Sequence, residues 1–144
     1  MGSVVSALAR GHQRILVSVR QAIQEVSTLE DGSVPTIAEL VTEIRQHVNL
    51  VEEVIVPTLQ AAMQGKEHSM VSCLRAEHVL LGDLCVDIEK DLRRKRWSAV
   101  LWNLAELDAA LTLHGKKEQE VGPIIDQRLQ PSTIRYFATL LDEK

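Results

Sequence analysis

The chain has 144 residues, a length that suits one domain with one sizeable core. Hydrophobic residues make up 45% of it and aromatic residues only 3%, so aliphatic side chains must fill the core, which suits packed helices. The net charge of −4 gives no basic field for nucleic acid or anionic lipid, and no apolar run approaches the roughly 18 residues of a membrane span. We therefore expect one domain, residues 1–144, that binds neither nucleic acid nor membranes.

The first part of the chain predicts two long helices. They are expected over about residues 4–28 and 35–63, with the turn-rich segment LEDGSV between them. Pro35 and the capping pattern Thr36-x-x-Glu39 predict the start of the second helix.

The second part of the chain predicts two further long helices and a short one. The third is expected over about residues 69–94 and the fourth over about 98–121, with Ser98 as its cap and a Gly-Pro pair disturbing its end. A short fifth helix is expected to begin at Pro131. No strand-like alternation is present in the sequence. Short loops between long helices predict an all-α, up-down-up-down four-helix bundle with a short C-terminal fifth helix.

The two cysteines, Cys73 and Cys85, both fall in the predicted third helix. A spacing of twelve residues on one helix separates them by about 18 Å, which is too far for a disulfide. We therefore predict two free core thiols in a reducing cytosol, and hence a cytoplasmic protein.

Two apolar helical segments repeat an unusual combination of histidine, carboxylate and proline. The second helix reads HVNLVEEVIVP from His47, and the fourth reads HGKKEQEVGP from His114. Glu118 lies four residues after His114 and shares its helix face. Glu52 lies five residues after His47, so a π-bulge or its long side chain must bring it round. Glu43, four residues before His47, is the alternative carboxylate.

Four of the five histidines fall one on each long predicted helix, in mostly apolar surroundings; they are His12, His47, His78 and His114. Their distances from the connecting turns differ by a few Å to about 10 Å along the helices, so all four can meet in one layer. Burying four imidazoles costs several desolvations, which a metal ion would offset. Imidazole and carboxylate together favour iron over zinc or calcium. The fifth, His68, is predicted to lie at the surface.

This ordered set of motifs resembles the hemerythrin-like, HHE cation-binding family, a four-helix bundle with a non-haem di-iron site. The resemblance covers essentially the whole chain. It implies six metal ligands, which are His12, His47, Glu52, His78, His114 and Glu118. One iron would take the histidines of the first two helices and the other those of the third and fourth. The two carboxylates would bridge the irons together with an oxo or hydroxo group.

The same resemblance implies a small ligand at the iron centre, namely O2, nitric oxide or peroxide, for sensing, storage or detoxification. Aliphatic side chains are expected to line the pocket: Leu50, Val51, Leu74, Leu81 and Leu111. A dry aliphatic pocket suits a small apolar gas and favours binding over turnover. Catalase-like decomposition of peroxide is the enzymatic alternative. No cleft for a large substrate is predicted.

Two positions depart from the family pattern and favour a second interpretation. Val51 stands four residues after His47, where a carboxylate is usual, and Leu74 replaces a second third-helix histidine of oxygen-carrying members. The alternative is a metal-poor bundle that acts as an interaction module, or as a phosphotransfer module using His114 and Lys117. A ferritin-type Glu-x-x-His site does not fit, because no histidine has a glutamate three residues before it.

Overall fold

The computed structural model describes residues 3–63, 68–128 and 130–142, and all but a few of these residues are helical, with no strand among them. The helices are α1 (Val4–Leu29), α2 (Val34–Leu50, a π-helical turn Val51–Ile55, then Val56–Met63), α3 (His68–Arg93), α4 (Trp97–Arg128) and α5 (Pro131–Asp142). A short 3-10 turn, Glu30–Ser33, joins α1 to α2. None of the helices in these ranges combines the length and hydropathy that crossing a membrane requires.

The four long helices pack side by side as a bundle, and α5 packs beside α1. α4 lies against both α1 and α3, and α2 completes the ring between α1 and α3. The all-α bundle with a short fifth helix, predicted from the sequence, is confirmed. The amphipathic pattern of the helices favours this arrangement, because each apolar stripe must be buried against its neighbours.

The apolar core is divided into two clusters along the bundle. On α1, Leu8 belongs to the first cluster and Ile15 to the second, and His12 lies between them. On α4 the order is reversed, with Leu111 in the second cluster and Val121 in the first. Each fully buried aliphatic side chain contributes roughly 1.5–3 kcal/mol, so the two clusters hold the bundle together on either side of a polar layer.

The first apolar cluster is closed by α5. Phe137, Ala138 and Leu141 of this helix are buried in that cluster. Beside them Arg10 of α1 donates two hydrogen bonds to the Asp142 carboxylate, at 3.0 and 2.6 Å. The fifth helix therefore covers one end of the bundle core.

The start of α1 is capped from α4. The backbone N–H groups of Val4 and Val5 donate to the Asp126 carboxylate at 2.9 and 3.3 Å, and Ser6 N–H donates to Ser3 Oγ at 3.1 Å. A carboxylate at a helix N-terminus satisfies free N–H groups and complements the helix dipole. This contact fixes the first turn of α1 against α4.

The π-helical turn in α2 lies directly after the segment that carries His47. The N–H of Val56 bonds to the carbonyl of Val51, which is the five-residue spacing of a π-helix. Such a turn accommodates one extra residue, as the five-residue interval from His47 to Glu52 requires. Pro57 follows the turn and has no N–H for an α-helical bond to residue 53.

Three local predictions about helix ends are wrong. The capping pattern at Thr36 lies inside α2, which begins at Val34 without a side-chain cap. Ser98 lies inside the first turn of α4, which begins at Trp97, and α4 continues through Pro123. The apolar residues around this proline pack in the first cluster, and that packing offsets the single backbone hydrogen bond that the proline removes.

A close approach of α1 and α4 at Gly122 predicts a strong effect of one added methyl group. A Cβ on Gly122 would lie 2.8 Å from Val5 Cγ2 and 3.0 Å from Val5 Cα, so the helices would have to separate. Gly122→Ala should lower the free energy of unfolding by about 1–3 kcal/mol, measured by urea denaturation. The matched control is Gly82→Ala in α3, where a Cβ meets no described atom within 4 Å. It should raise stability by about 0.5–1 kcal/mol. Equal stabilities would contradict the close packing.

The two cysteines differ in exposure, which predicts selective labelling. Both are free, as expected, but Cys73 is exposed, so its predicted place in the core is wrong. Burial raises the pKa of the Cys85 thiol to about 11. Iodoacetamide at pH 8 should therefore alkylate Cys73 alone in the folded protein and both thiols in denaturant, as read by peptide mass spectrometry. Labelling of Cys85 in the native protein would show that α3 opens.

Candidate metal centre

Four imidazole rings, one from each bundle helix, meet in the layer between the two apolar clusters. The ring centroids of His12 and His47 are 5.0 Å apart, and those of His78 and His114 are 4.7 Å apart. All four residues are at most 5% exposed. The prediction that the four histidines share one height in the bundle is confirmed.

The carboxylate of Glu118 lies at the centre of this layer and is buried. Its oxygens are 2.8 Å from His12 Nε2, 2.6 Å from His114 Nε2, and 3.1 and 3.2 Å from His47 Nε2. His78 Nε2 is 3.9 Å from the same carboxylate and 3.1 Å from His114 Nε2. The Nε2 atoms of all four rings therefore face one anionic group.

The electrostatics of the layer follow from this burial. Burial alone would raise the pKa of Glu118, but the charge of His47 and the hydrogen bonds from His114 and His12 hold it well below its usual value. Burial would lower the pKa of His114, yet its bonds to Glu118 and Glu77 raise it overall. An ionised carboxylate inside a bundle requires nearby positive charge. Protons on the imidazoles or a metal cation can supply it.

Two further carboxylates hold the outer nitrogens of the rings from α3 and α4. Glu77 Oε1 lies 2.8 Å from His114 Nδ1, and Glu52 Oε1 lies 2.6 Å from His78 Nδ1. An ionised carboxylate only accepts hydrogen bonds, so each Nδ1 carries a proton and donates it. The Nε2 lone pair of a neutral ring then faces the centre, which is the arrangement that metal-binding histidines use.

The donor set of the layer fits a cation. The Nε2 atoms of His78 and His114 face each other. Because both rings already carry a proton on Nδ1, these two atoms can form a hydrogen bond only if one ring takes a second proton. One ligand atom from each of His12, His47, His114 and Glu118 can be chosen so that all four lie within 4.8 Å of one another. Three imidazole nitrogens and one carboxylate oxygen suit a transition-metal ion, which would take the place of those protons.

Four of the six predicted site residues belong to that set of possible metal ligands, and the other two lie beside it. His12, His47, His114 and Glu118 belong to it. His78 adjoins it through His114, and the carboxylate of Glu52 bonds the outer side of His78. The other oxygen of the Glu52 carboxylate is 3.5 Å from Arg75 Nε. The metal-binding role of each residue, including the bridging role implied for Glu52, stays a prediction. Glu43 lines a cleft beside His47, and the side chain of His68 lies outside the described residues.

Sequence reasoning missed Glu77, which orients His114. Glu77 directly precedes His78 in the segment AEHVLL, so no spacing within its own helix connects it with a histidine that it serves. Its partner is on α4, 37 residues further along the chain. The signal that could have found it is the packing of α3 against α4, which the sequence alone does not supply.

A helical bundle with a buried layer of histidines and one carboxylate defines a candidate cation-binding protein. Residues 3–124 match the model of the hemerythrin HHE cation binding domain. The match covers most of the chain, which therefore belongs to that family. It ends before α5. No curated protein and no solved structure matches the chain.

The contacts of Glu52 and Glu118 predict different effects on metal affinity. Glu52→Gln keeps an oxygen that can accept from His78 Nδ1, so the affinity for Fe²⁺ should fall less than about tenfold, and Glu52→Ala should cost about 10–100-fold. Glu118→Gln removes the central charge and should cost more than about 100-fold. Competition with a chromogenic chelator measures all three variants. Equal losses in Glu52→Gln and Glu118→Gln would show that Glu52 binds the metal directly.

Proposed function

We propose that this chain is a non-haem di-iron protein that binds O2, nitric oxide or peroxide in the bundle core, for sensing, storage or detoxification. The observation that supports it is the convergence of four imidazole Nε2 atoms on the buried Glu118 carboxylate. Burying four imidazoles and a carboxylate in an aliphatic core costs desolvation, and a cation held between them would offset part of that cost. Membership of a cation-binding family points the same way.

The ligands are divided between two ions according to the helices that supply them. His12 and His47 would hold one iron, and His78 and His114 the other, with Glu118 shared between them. Imidazole and carboxylate are ligands that suit iron. Iron, when bound, supplies the redox and Lewis-acid chemistry that the side chains of this layer lack.

The chain's own residues orient these ligands and compensate their charge. Glu77 and Glu52 accept from the outer nitrogens of His114 and His78, which keeps the inner nitrogens directed at the centre. Glu118 places one negative charge among the rings and so favours a cation there over neutral groups.

Aliphatic side chains border the layer on both sides and limit the entry of water. Val51 and Leu74 on one side, and Leu81 and Leu111 on the other, are each 1% exposed. Val51 and Leu74 also stand where the family pattern offers further ligands, so a coordination position is left for an exogenous molecule. A dry, aliphatic surrounding suits a small apolar gas, which supports binding over catalase-like turnover.

The packing of these two residues also supports the alternative of a metal-poor bundle. Val51 and Leu74 pack in the first apolar cluster as ordinary core residues. Such a bundle would act as an interaction module. The phosphotransfer version requires an exposed imidazole, and His114 is 0% exposed, so the structure argues against it.

Metal content and the visible spectrum of protein grown with iron test the proposal. We expect about two irons per chain and absorption bands that change when azide or peroxide is added. His114→Ala should lose most of the iron, because this ring contacts both Glu118 and His78. His68→Ala is the control and should lose none. Metal well below one per chain with a featureless spectrum would overturn the proposal in favour of the metal-poor bundle.

A further inference from the structure

A cleft opens at the surface between α1 and α2 and reaches His47. Its volume is about 530 Å³, and residues of both helices line it, among them Gly11, Arg14, Ile15 and Glu43. The sequence did not predict this cleft. A diatomic gas would occupy a small part of this volume, whereas cavities of roughly 300–1,000 Å³ hold small organic molecules.

The inner end of the cleft is open because residue 11 has no side chain. A Cβ on Gly11 would lie 3.7 Å from His47 Nδ1 and 3.9 Å from Arg14 Nη2. The space above Gly11 is therefore bordered by a guanidinium on one side and by the outer edge of an imidazole on the other. The guanidinium can donate to an anion there.

The charges around the cleft favour an anion at Arg14. Arg10 is paired with Asp142 at 2.6 Å. Arg14 donates one hydrogen bond, to the carbonyl of Leu141 at 3.3 Å, and within the described parts of the chain no carboxylate lies within ion-pair distance of it. Glu43 lies on the opposite wall, on α2. Arg14 is thus the cleft arginine without a direct carboxylate contact among the described residues, and its charge helps to lower the pKa of Asp142.

We propose that this cleft binds a small organic anion, a carboxylate on an apolar body. The carboxylate lies over Gly11 and pairs with the guanidinium of Arg14, which is suited to carboxylates by its planar donor geometry. The apolar body lies along Ile15, which is 4% exposed, and Val17, which is 53% exposed near the mouth. A molecule bound in this way would contact the outer edge of His47 and so couple the cleft to the histidine layer.

Isothermal titration calorimetry with 4-phenylbutyrate tests this site on the full chain, both as purified and after treatment with a chelator. We expect saturable binding to one site in both samples, and binding at least about tenfold weaker for the uncharged amide of the same acid. Binding that disappears after chelation would show a carboxylate bound to metal and would overturn the proposal. This readout does not depend on iron, so it fails or succeeds separately from the proposed function.

Substitutions in α1 assign the binding to the cleft. Arg14→Gln should weaken the affinity for 4-phenylbutyrate by about tenfold or more, and Arg14→Lys should weaken it less, because the charge remains although the planar pair of donors is lost. Gly11→Leu should abolish binding by filling the inner end. The control is Arg20→Gln, which removes an exposed arginine 3.6 Å from Asp108, outside the cleft, and should change nothing.

Circular dichroism verifies the fold of each variant, and Arg14→Gln decides the result if Gly11→Leu does not fold. Absence of saturable binding would overturn the proposal. So would equal weakening by Arg14→Gln and Arg20→Gln, or a lysine variant as weak as the glutamine one.

Discussion

The Glu118 carboxylate is buried in the middle of the bundle, and the positive charge that it requires constrains the whole structure. Ring nitrogens from all four bundle helices face it, so each helix is held at one height relative to the others. Sliding any helix by one turn, about 5.4 Å, would withdraw its imidazole and leave buried polar groups without partners. The layer thus fixes the register of the helices, which apolar packing alone specifies weakly.

The two apolar clusters and the polar layer have complementary roles. The clusters supply most of the stabilisation, because aliphatic burial is non-directional and tolerant of small shifts. The layer adds direction, since hydrogen bonds lose strength within a few tenths of an ångström and a few tens of degrees. The Asp126 cap on α1 and the close approach at Gly122 hold α1 and α4 together near one end of the bundle. That pairing supports the bond between His12 and Glu118.

The two sides of the layer are not equivalent. On the side of α3 and α4, Glu77 and Glu52 hold the outer nitrogens of their rings. On the side of α1 and α2, His12 Nδ1 is buried with no hydrogen-bond partner among the described residues, and the edge of His47 borders the cleft at Gly11. One half of the layer is therefore fixed by carboxylates, and the other half adjoins a space that opens to solvent.

The sequence alone determined the helices, the layer of four histidines and the place of Glu118 one turn after His114. These features follow from the 3.6-residue period and from the distance of each histidine to the turns that connect its helix with the next. The sequence also predicted that a π-bulge or a long side chain must bring Glu52 round to the face of His47. The π-helical turn Val51–Ile55 is present. Only the tertiary structure decided that Glu77 serves His114, that Glu52 bonds the outer nitrogen of His78, and that Gly11 opens a cleft. Those contacts depend on the rotation and separation of neighbouring helices, which are set by the packing of side chains distant in the sequence.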